Sequence, residues 1–388
     1  MRPFLKQTAI CAALLAAVPF LGSAPALGLT PAAAKQAAQT TTLTPAQQLA
    51  SMTLQQRIGQ LFMAKSAATG ADANTMSDLI NFHVGNVYLG GRSYAGINPT
   101  LAVVKKMTDT VSQATTSGVA LAVATDQEGG YVQVLNGPGF SKIPTALAQG
   151  AIAPAMLRAD AKNWGNQLRW AGVHVDLAPV LDTVPSAAFA PNNPPIGYYE
   201  REYGYTPQVV STEGNAFAAG LKDGFVAPAI KHFPGLGRVT LNTDTSSNVH
   251  DTVTTRYDSY MLPYKTAIND GARWVMVSSA YYDKIDNRSG KLGAFSSVLM
   301  QTILRGDDHF TGIILSDDLC NAQQLAPWSL GVRAANFINA GGTMVLCAAP
   351  PSISPMYWYL LHLAQTSPSF LSMVNAAALK VLQVKAGQ

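Results

Sequence analysis

The chain has 388 residues, 48% of them hydrophobic and 12% charged, with a formal net charge of +4 at pH 7. That length and apolar content allow a large buried core, and one barrel domain can reach this size. A positive excess this small, on scattered lysines and arginines, gives no ground for nucleic acid or an anionic membrane as partner.

Residues 1–26 read as a secretory signal peptide. Arg2 and Lys6 form a basic start, Ala9 through Leu21 is an apolar run too short for a comfortable membrane span, and Ser23-Ala24-Pro25-Ala26 offers small residues for cleavage after Ala26. A retained N-terminal anchor is the alternative. Cleavage removes Arg2 and Lys6 with no acidic residue, so the net charge falls to +2. The expectation is a secreted chain, extracellular or associated with the cell wall, monomeric and without membrane attachment. Cys11 lies inside the apolar run and not after it, so it does not read as a lipid-attachment cysteine. The two cysteines that remain, Cys320 and Cys347, form an even pair, which in an exported chain suggests a disulfide. Each follows a late strand-like run, Ile313–Leu315 and Thr343–Leu346, and these would be neighbours in a barrel. Two buried free thiols are the alternative.

Residues 27–45, rich in Ala, Thr, Gln and Pro and without an apolar period, read as a flexible leader, and 46–388 as the globular part. From Pro45 the pattern is helical, with Leu49, Met52, Leu54, Ile58 and Leu61 spaced for one helix face. Gln60–Ala64 then reads as the first strand. Val84–Leu89 is the second, followed by Gly90-Gly91 and a helical stretch over Leu101–Ala114. Val119–Ala124 ends in Thr125-Asp126-Gln127-Glu128-Gly129-Gly130. Helical Ala155–Ala171 leads to Val173–Leu177 and the loop Ala178-Pro179-Val180-Leu181-Asp182. A long loop rich in Pro, Asn and Tyr, 183–206, precedes a helix over Val209–Asp223. Strands follow at Phe225–Ile230, Arg273–Ser278, Gly312–Leu315 and Gly342–Ala348, and Met356–Val384 closes the chain as helix.

These are about eight β-then-α units. Continuous Val/Ile/Ala/Leu runs mark parallel strands buried on both faces, and their repetition predicts an α/β fold, a (β/α)₈ TIM barrel. A doubly wound open sheet is the runner-up, but no Gly-x-Gly-x-x-Gly opens a helix after the first strand. Two strand ends stand out. Lys231-His232-Phe233-Pro234-Gly235-Leu236-Gly237 follows one apolar run and Ser316-Asp317-Asp318-Leu319 another. A cation, an imidazole and two carboxylates where buried strands surface suit a polar, oxygen-rich substrate. Taken singly, the first could be only a turn and the second only a helix N-cap. No metal or cofactor is implied, since His83, His174, His309 and His362 are scattered without ligand spacing.

In chain order, Ile58-Gly59-Gln60-Leu61-Phe62-Met63, Asp126-Gln127-Glu128-Gly129-Gly130, Ala178-Pro179-Val180-Leu181-Asp182, Lys231-His232-Phe233-Pro234-Gly235 and Ser316-Asp317-Asp318-Leu319 together resemble glycoside hydrolase family 3, specifically its single-barrel β-N-acetylhexosaminidase branch. The resemblance runs from about Thr44 to the C-terminus. It implies a hydrolase of carbohydrate substrates: a retaining exo-glycosidase acting on terminal β-linked N-acetylglucosamine of peptidoglycan or chitin-type fragments, through a covalent glycosyl-enzyme intermediate. It also implies Asp317 as nucleophile, Asp126 as acceptor of sugar hydroxyls, Lys231 and His232 as residues holding the ring, and Arg201 as a directional donor fork. Asp318 reads as structural. Arg201 could instead make a surface ion pair with Glu200 or Glu202, and His232 could be a satisfied core histidine. Tyr198, Tyr199, Tyr203 and Tyr205 could stack on sugar faces or anchor their loop to the barrel.

The chain departs from the family in the acid/base loop, which in this branch reads Asp-Ser-His. Here the loop is Asn242-Thr243-Asp244-Thr245-Ser246-Ser247-Asn248-Val249-His250, with Asp244 matching the Asp and Ser246 standing in place of the His. His250 could reach the site, Asp244 could serve as acid/base if a dry environment raises its pKa, or the leaving group could go unassisted. In the last case the protein would be a catalytically impaired amino-sugar-binding protein on the same scaffold. Tyr131 replaces a family Arg, which leaves open what neutralises Glu128, and Leu236 replaces a family His.

Overall fold

The computed structural model describes residues 43–349 and 352–387. The expected signal peptide, 1–26, and residues 27–42 of the expected leader lie outside the described residues. Thr44 and Thr53 each open a helix with a capping box, Pro45–Ser51 and Leu54–Gly59. The single helix face expected from Leu49 to Leu61 is therefore carried by two helices, because Thr53 accepts the Gln56 amide and starts a new one. The C-terminal stretch is likewise two helices, Ile353–Thr366 and Pro368–Ala386, since Ser367 caps the second and Pro368 cannot continue the first.

Eight parallel strands form one ring: β1 Phe62–Ala67, β2 Asn86–Gly90, β3 Ala122–Thr125, β4 Val175–Asp176, β5 Ala227–Phe233, β6 Trp274–Val277, β7 Ile313–Ser316 and β8 Val345–Cys347. Neighbours run in the order β7-β6-β5-β4-β3-β2-β1-β8. The register pairs Val87 with Val123, Ala124 with Val175, Ile230 with Val275 and Phe62 with Val345. A bridge from Leu315 to Met344 joins β7 to β8 and closes the (β/α)₈ barrel. Long helices, among them Pro154–Trp170, Pro207–Asp223 and Leu330–Asn339, connect the strands. Inside the ring Met63, Ala124, Leu177, Ala229, Met276, Leu315 and Leu346 belong to one buried apolar plug, so the barrel is a packed core and not a pore. A second, larger apolar layer separates strands from helices. Burial on both faces explains why the strands read as continuous apolar runs.

Several strands start later than their apolar runs, and one recurring turn explains it. The helices ending at Trp170, Asp223 and Asn269 each close with a six-residue Schellman turn, in which Val173, Val226 and Ala272 donate to Leu168, Leu221 and Ala267, at 3.0, 3.0 and 2.9 Å. These apolar residues cap the preceding helix before the strand begins. The left-handed position of the turn is Gly172 (φ 80°), Gly271 (φ 83°) and, in the turn entering β8, Gly341 (φ 104°), but before β5 it is Phe225 (φ 59°), with 80% of its surface exposed. An aromatic side chain in that conformation is strained and gains little from packing. Phe225→Gly is expected to raise the unfolding free energy by about 0.5–1 kcal/mol, the relief of strain being partly offset by the freer unfolded chain. A urea midpoint lower than wild type would reject this.

Cys320 and Cys347 form a disulfide, with Cα atoms 5.1 Å apart, that joins the loop after β7 to the end of β8. Among the described residues no helix is long and apolar enough to cross a membrane.

Candidate active site

β5 reaches further than its apolar run suggests. Lys231 and His232 lie within the strand, not in a turn beyond it, and the Lys231–His232 and Phe233–Pro234 peptide bonds are cis. The Lys231 amide donates to the Pro179 carbonyl at 3.1 Å, and its carbonyl accepts from Leu181 at 2.6 Å. That pairing locks the strand end to the Ala178–Asp182 loop after β4.

At this carboxyl end of the barrel lies a cavity of about 230 Å³. Leu177, Met276 and Leu346 of the apolar plug line it, together with Asp126, Arg201, Lys231, His232, Asp244 and Asp317. The structure thus gathers in one place six residues spread over almost 200 positions of sequence. A wider hollow of about 590 Å³ at the opposite end is lined by Arg169, His174 and Arg273 and holds no carboxylate, so size alone does not mark the site.

Two cations and two carboxylates interlock on the β3–β5 side. Lys231 Nζ lies 2.6 Å from Asp126 Oδ1 and 2.6 Å from Glu128 Oε1. Arg201 forms a bidentate pair with Glu128, at 2.8 and 2.7 Å, and also donates to the Pro195 carbonyl. Its partner is therefore Glu128, and not Glu200 or Glu202. This also answers what neutralises Glu128 beside Tyr131. Burial alone would raise the Glu128 carboxyl, but Arg201 and Lys231 outweigh it and hold the pKa at about 2. Burial disfavours the Lys231 ammonium, and Asp126 and Glu128 more than compensate, raising its pKa above the ordinary value. Tyr88 on β2 donates to Asp126 Oδ2 at 2.8 Å, so both oxygens of that carboxylate are held.

His232 is buried, and its Nδ1 lies 2.7 Å from Asp182 Oδ2, which leaves Nε2 as the nitrogen available to the cavity. Asp182 also accepts from the Leu236 amide at 2.7 Å and the Tyr264 hydroxyl at 2.8 Å. Burial would push this carboxyl up; His232, the Leu236 amide and Tyr264 outweigh that and hold it below its usual range. Leu236, in place of a family His, thus contributes its backbone to the orientation of His232.

Asp317 stands at the end of β7, half-buried, with Oδ1 accepting from the Asp318 amide at 2.8 Å. Asp318 accepts the amides of Cys320, Asn321 and Ala348, at 2.9, 3.1 and 2.9 Å, and so ties the β7 loop to β8. Asp244 arrives on a loop pinned to the segment following Asp317, since the Gln323 and Gln324 amides donate to the Asp244 and Thr243 carbonyls at 3.1 and 3.0 Å. Solvent reaches Asp244, yet its carboxyl sits in a crowded concave mouth. Loss of hydration first, then the Asp317 and Asp318 charges, push its pKa up to about 6 against the pull of His232 and Arg201. His250 points elsewhere: it pairs with Asp283 at 2.8 Å, stacks on Tyr281 and does not line the cavity.

Glu128, Tyr88, Asp182 and Tyr264 complete the site without having been singled out as site residues. Glu128 and Asp182 lie within motifs quoted above, and a lone tyrosine between Val87 and Leu89 needed a partner for its hydroxyl. Only the fold reveals Tyr264.

Residues 53–384 match the family profile described as Glycosyl hydrolase family 3 N terminal domain. A β-hexosaminidase of Methylococcus capsulatus is 30% identical over 275 residues, covering 69% of this chain and 76% of that protein. The crystal structure of a β-N-acetylhexosaminidase from Beutenbergia cavernae superposes with a TM-score of 0.85 at 47% identity, over 86% of this chain and 99% of the other. A family 3 β-N-acetylglucosaminidase from a Paenibacillus species superposes at 0.77 with 26% identity, over 86% of this chain and 63% of that longer one. With a closed barrel, a carboxylate-lined cavity at its carboxyl end and a profile match over nearly the whole described chain, the protein belongs to glycosyl hydrolase family 3.

Proposed function

We propose that the protein is a retaining exo-glycosidase that releases terminal β-linked N-acetylglucosamine from peptidoglycan or chitin-type fragments outside the cytoplasm. The observation that carries this reading is that Asp317 and the raised carboxyl of Asp244 face one cavity whose remaining polar wall is already paired. At about 230 Å³ the cavity is smaller than the ~300–1,000 Å³ of drug-sized pockets, in keeping with a single pyranose. The relatives named above support the N-acetylhexosamine class. The signal-like residues 1–26 and the disulfide support export.

In the first step the Asp317 carboxylate attacks the anomeric carbon as the glycosidic C–O bond breaks, and Asp244 gives its proton to the departing oxygen. In the second, Asp244 takes a proton from water, whose oxygen displaces Asp317 from the same carbon. Two inversions give retention. Asp126, Arg201, Lys231 and His232 hold the ring hydroxyls; because each is fixed by its own partner, little ordering is left to do on binding. Proton NMR of an aryl N-acetyl-β-glucosaminide digest is expected to show the β-anomer of the free sugar first. Appearance of the α-anomer first would reject the double displacement, and no aryl release at all would leave the sugar-binding alternative.

A further inference from the structure

In the stretch from Asn242 to His250, which carries Asp244, only Thr243 and Val249 are buried. The residues between them are exposed or half-exposed. Bonds inside the bend are few: the Thr245 and Ser246 amides donate to the Asn242 carbonyl at 3.2 and 2.9 Å, and the Asp244 amide to the Asn242 side chain at 2.9 Å. A bend with so little buried surface does not hold its place through packing of its own. A proton donor, in contrast, must be held: a misplacement of about 1 Å can cost ~10²-fold in rate.

Gln324 supplies the hold. It lies in the short helix Gln323–Leu325 of the segment that follows Asp317, with 2% of its surface exposed. Its backbone amide donates to the Thr243 carbonyl at 3.0 Å, and its side-chain Oε1 accepts the Val249 amide at 3.1 Å. One residue thus grips both buried ends of the bend. The Val249 amide can only donate, so Oε1 faces it and Nε2 is left buried, without a partner among the described residues. A buried donor left unpaired costs about as much as the bond to Val249 contributes, so the side chain adds little to the stability of the fold. The segment that carries Gln324 is itself fastened. The disulfide holds Cys320, and Arg333 donates to the Leu319 and Cys320 carbonyls at 2.9 and 2.8 Å.

We infer that Gln324 is a positioning residue for Asp244: by pinning both ends of the bend to the segment that begins at Asp317, it sets the place of the proton-donating carboxyl relative to the attacking one. This rests on the reading of Asp244 as general acid. Gln324 does not line the cavity and acts through the backbone at Thr243 and Val249. With one end released, the Asp244 carboxyl gains water and draws away from the Asp317 and Asp318 charges that keep its proton on, and from His232 and Arg201, which oppose them. Burial and those two carboxylates dominate, so the net effect is a stronger and worse-placed acid. Proton transfer to a poor leaving group suffers, while attack by Asp317 does not.

The test is Gln324→Met, which keeps the side-chain length and the backbone bond to Thr243 but removes the acceptor for Val249. It is made in full-length wild type and in Asp244→Asn. In kcat/KM the wild-type background is expected to lose about tenfold on the β-1,4-linked dimer of N-acetylglucosamine and less than about threefold on a nitrophenyl N-acetyl-β-glucosaminide. Activity on the nitrophenyl substrate also shows that the variant is folded. The pH at which cleavage of the dimer declines should fall by about half a unit or more, as the acid loses what raises its pKa. In Asp244→Asn the same substitution should cost nothing further, since the residue it positions is already gone. Equal losses on the two substrates, an unmoved pH decline, or a full additional loss in Asp244→Asn would overturn the proposal. If Asp244→Asn alone leaves cleavage of the dimer intact, the general-acid reading falls and takes the proposal with it.

Discussion

Replacing Asp317 by Asn is expected to lower kcat on an aryl N-acetyl-β-glucosaminide by about 10⁴-fold, the scale on which removal of a nucleophile acts. The change is conservative in every other respect. An amide oxygen can still accept the Asp318 amide that now holds Oδ1, and Asp317 forms no ion pair with a described residue, so no buried charge is orphaned. Affinity for N-acetylglucosamine is expected to stay within severalfold, because Asp126, Lys231 and Arg201 keep their mutual pairing. A loss of less than tenfold would remove Asp317 from the chemistry. A parallel fall in thermal stability would make the loss structural.

Asp244 is expected to reveal itself through the leaving group. In kcat/KM, which stops at formation of the glycosyl-enzyme, Asp244→Asn should cost about 10²–10³-fold on an oligosaccharide, whose alkoxide leaves badly, and less than about tenfold on a nitrophenyl glycoside, whose phenolate needs little protonation. The pH profile gives a second, independent reading. A general acid works only while it holds its proton. With its pKa pushed up to about 6, turnover of the oligosaccharide by wild type should decline as pH rises through that value. The variant should lack that decline. Equal losses on both substrates would make Asp244 a structural residue of its loop.

The barrel was legible because every strand is buried on two faces and therefore reads as an unbroken apolar run; the place of the charged cluster was legible because its motifs sit where those runs end. Element limits were less so. Val173, Val226 and Ala272 look like strand residues, yet they close helices, and apolarity alone cannot separate the two uses. The breaks at Thr53 and Pro368 were written in the sequence as a cap and a proline, but the apolar period ran across them. The pairing of the site was not legible at all. Arg201 finds Glu128 across 73 positions and Lys231 finds Asp126 across 105. In the linear chain Arg201 lies between Glu200 and Glu202, and local proximity pointed to the wrong partners.

The bridge from Cys320 to Cys347 has a mechanical meaning. β8 is where the last strand of the ring meets the first, through Phe62 and Val345, so it forms the seam of the barrel. Asp317 lies three residues before one half-cystine, and Asp318 also grips the end of β8 through Ala348. The loop that carries Asp317 is therefore tied to the end of β8 by a covalent bond and a hydrogen bond, so that the two open together as one unit. Asp317 thereby sits on a loop tethered to the strand at which the barrel closes.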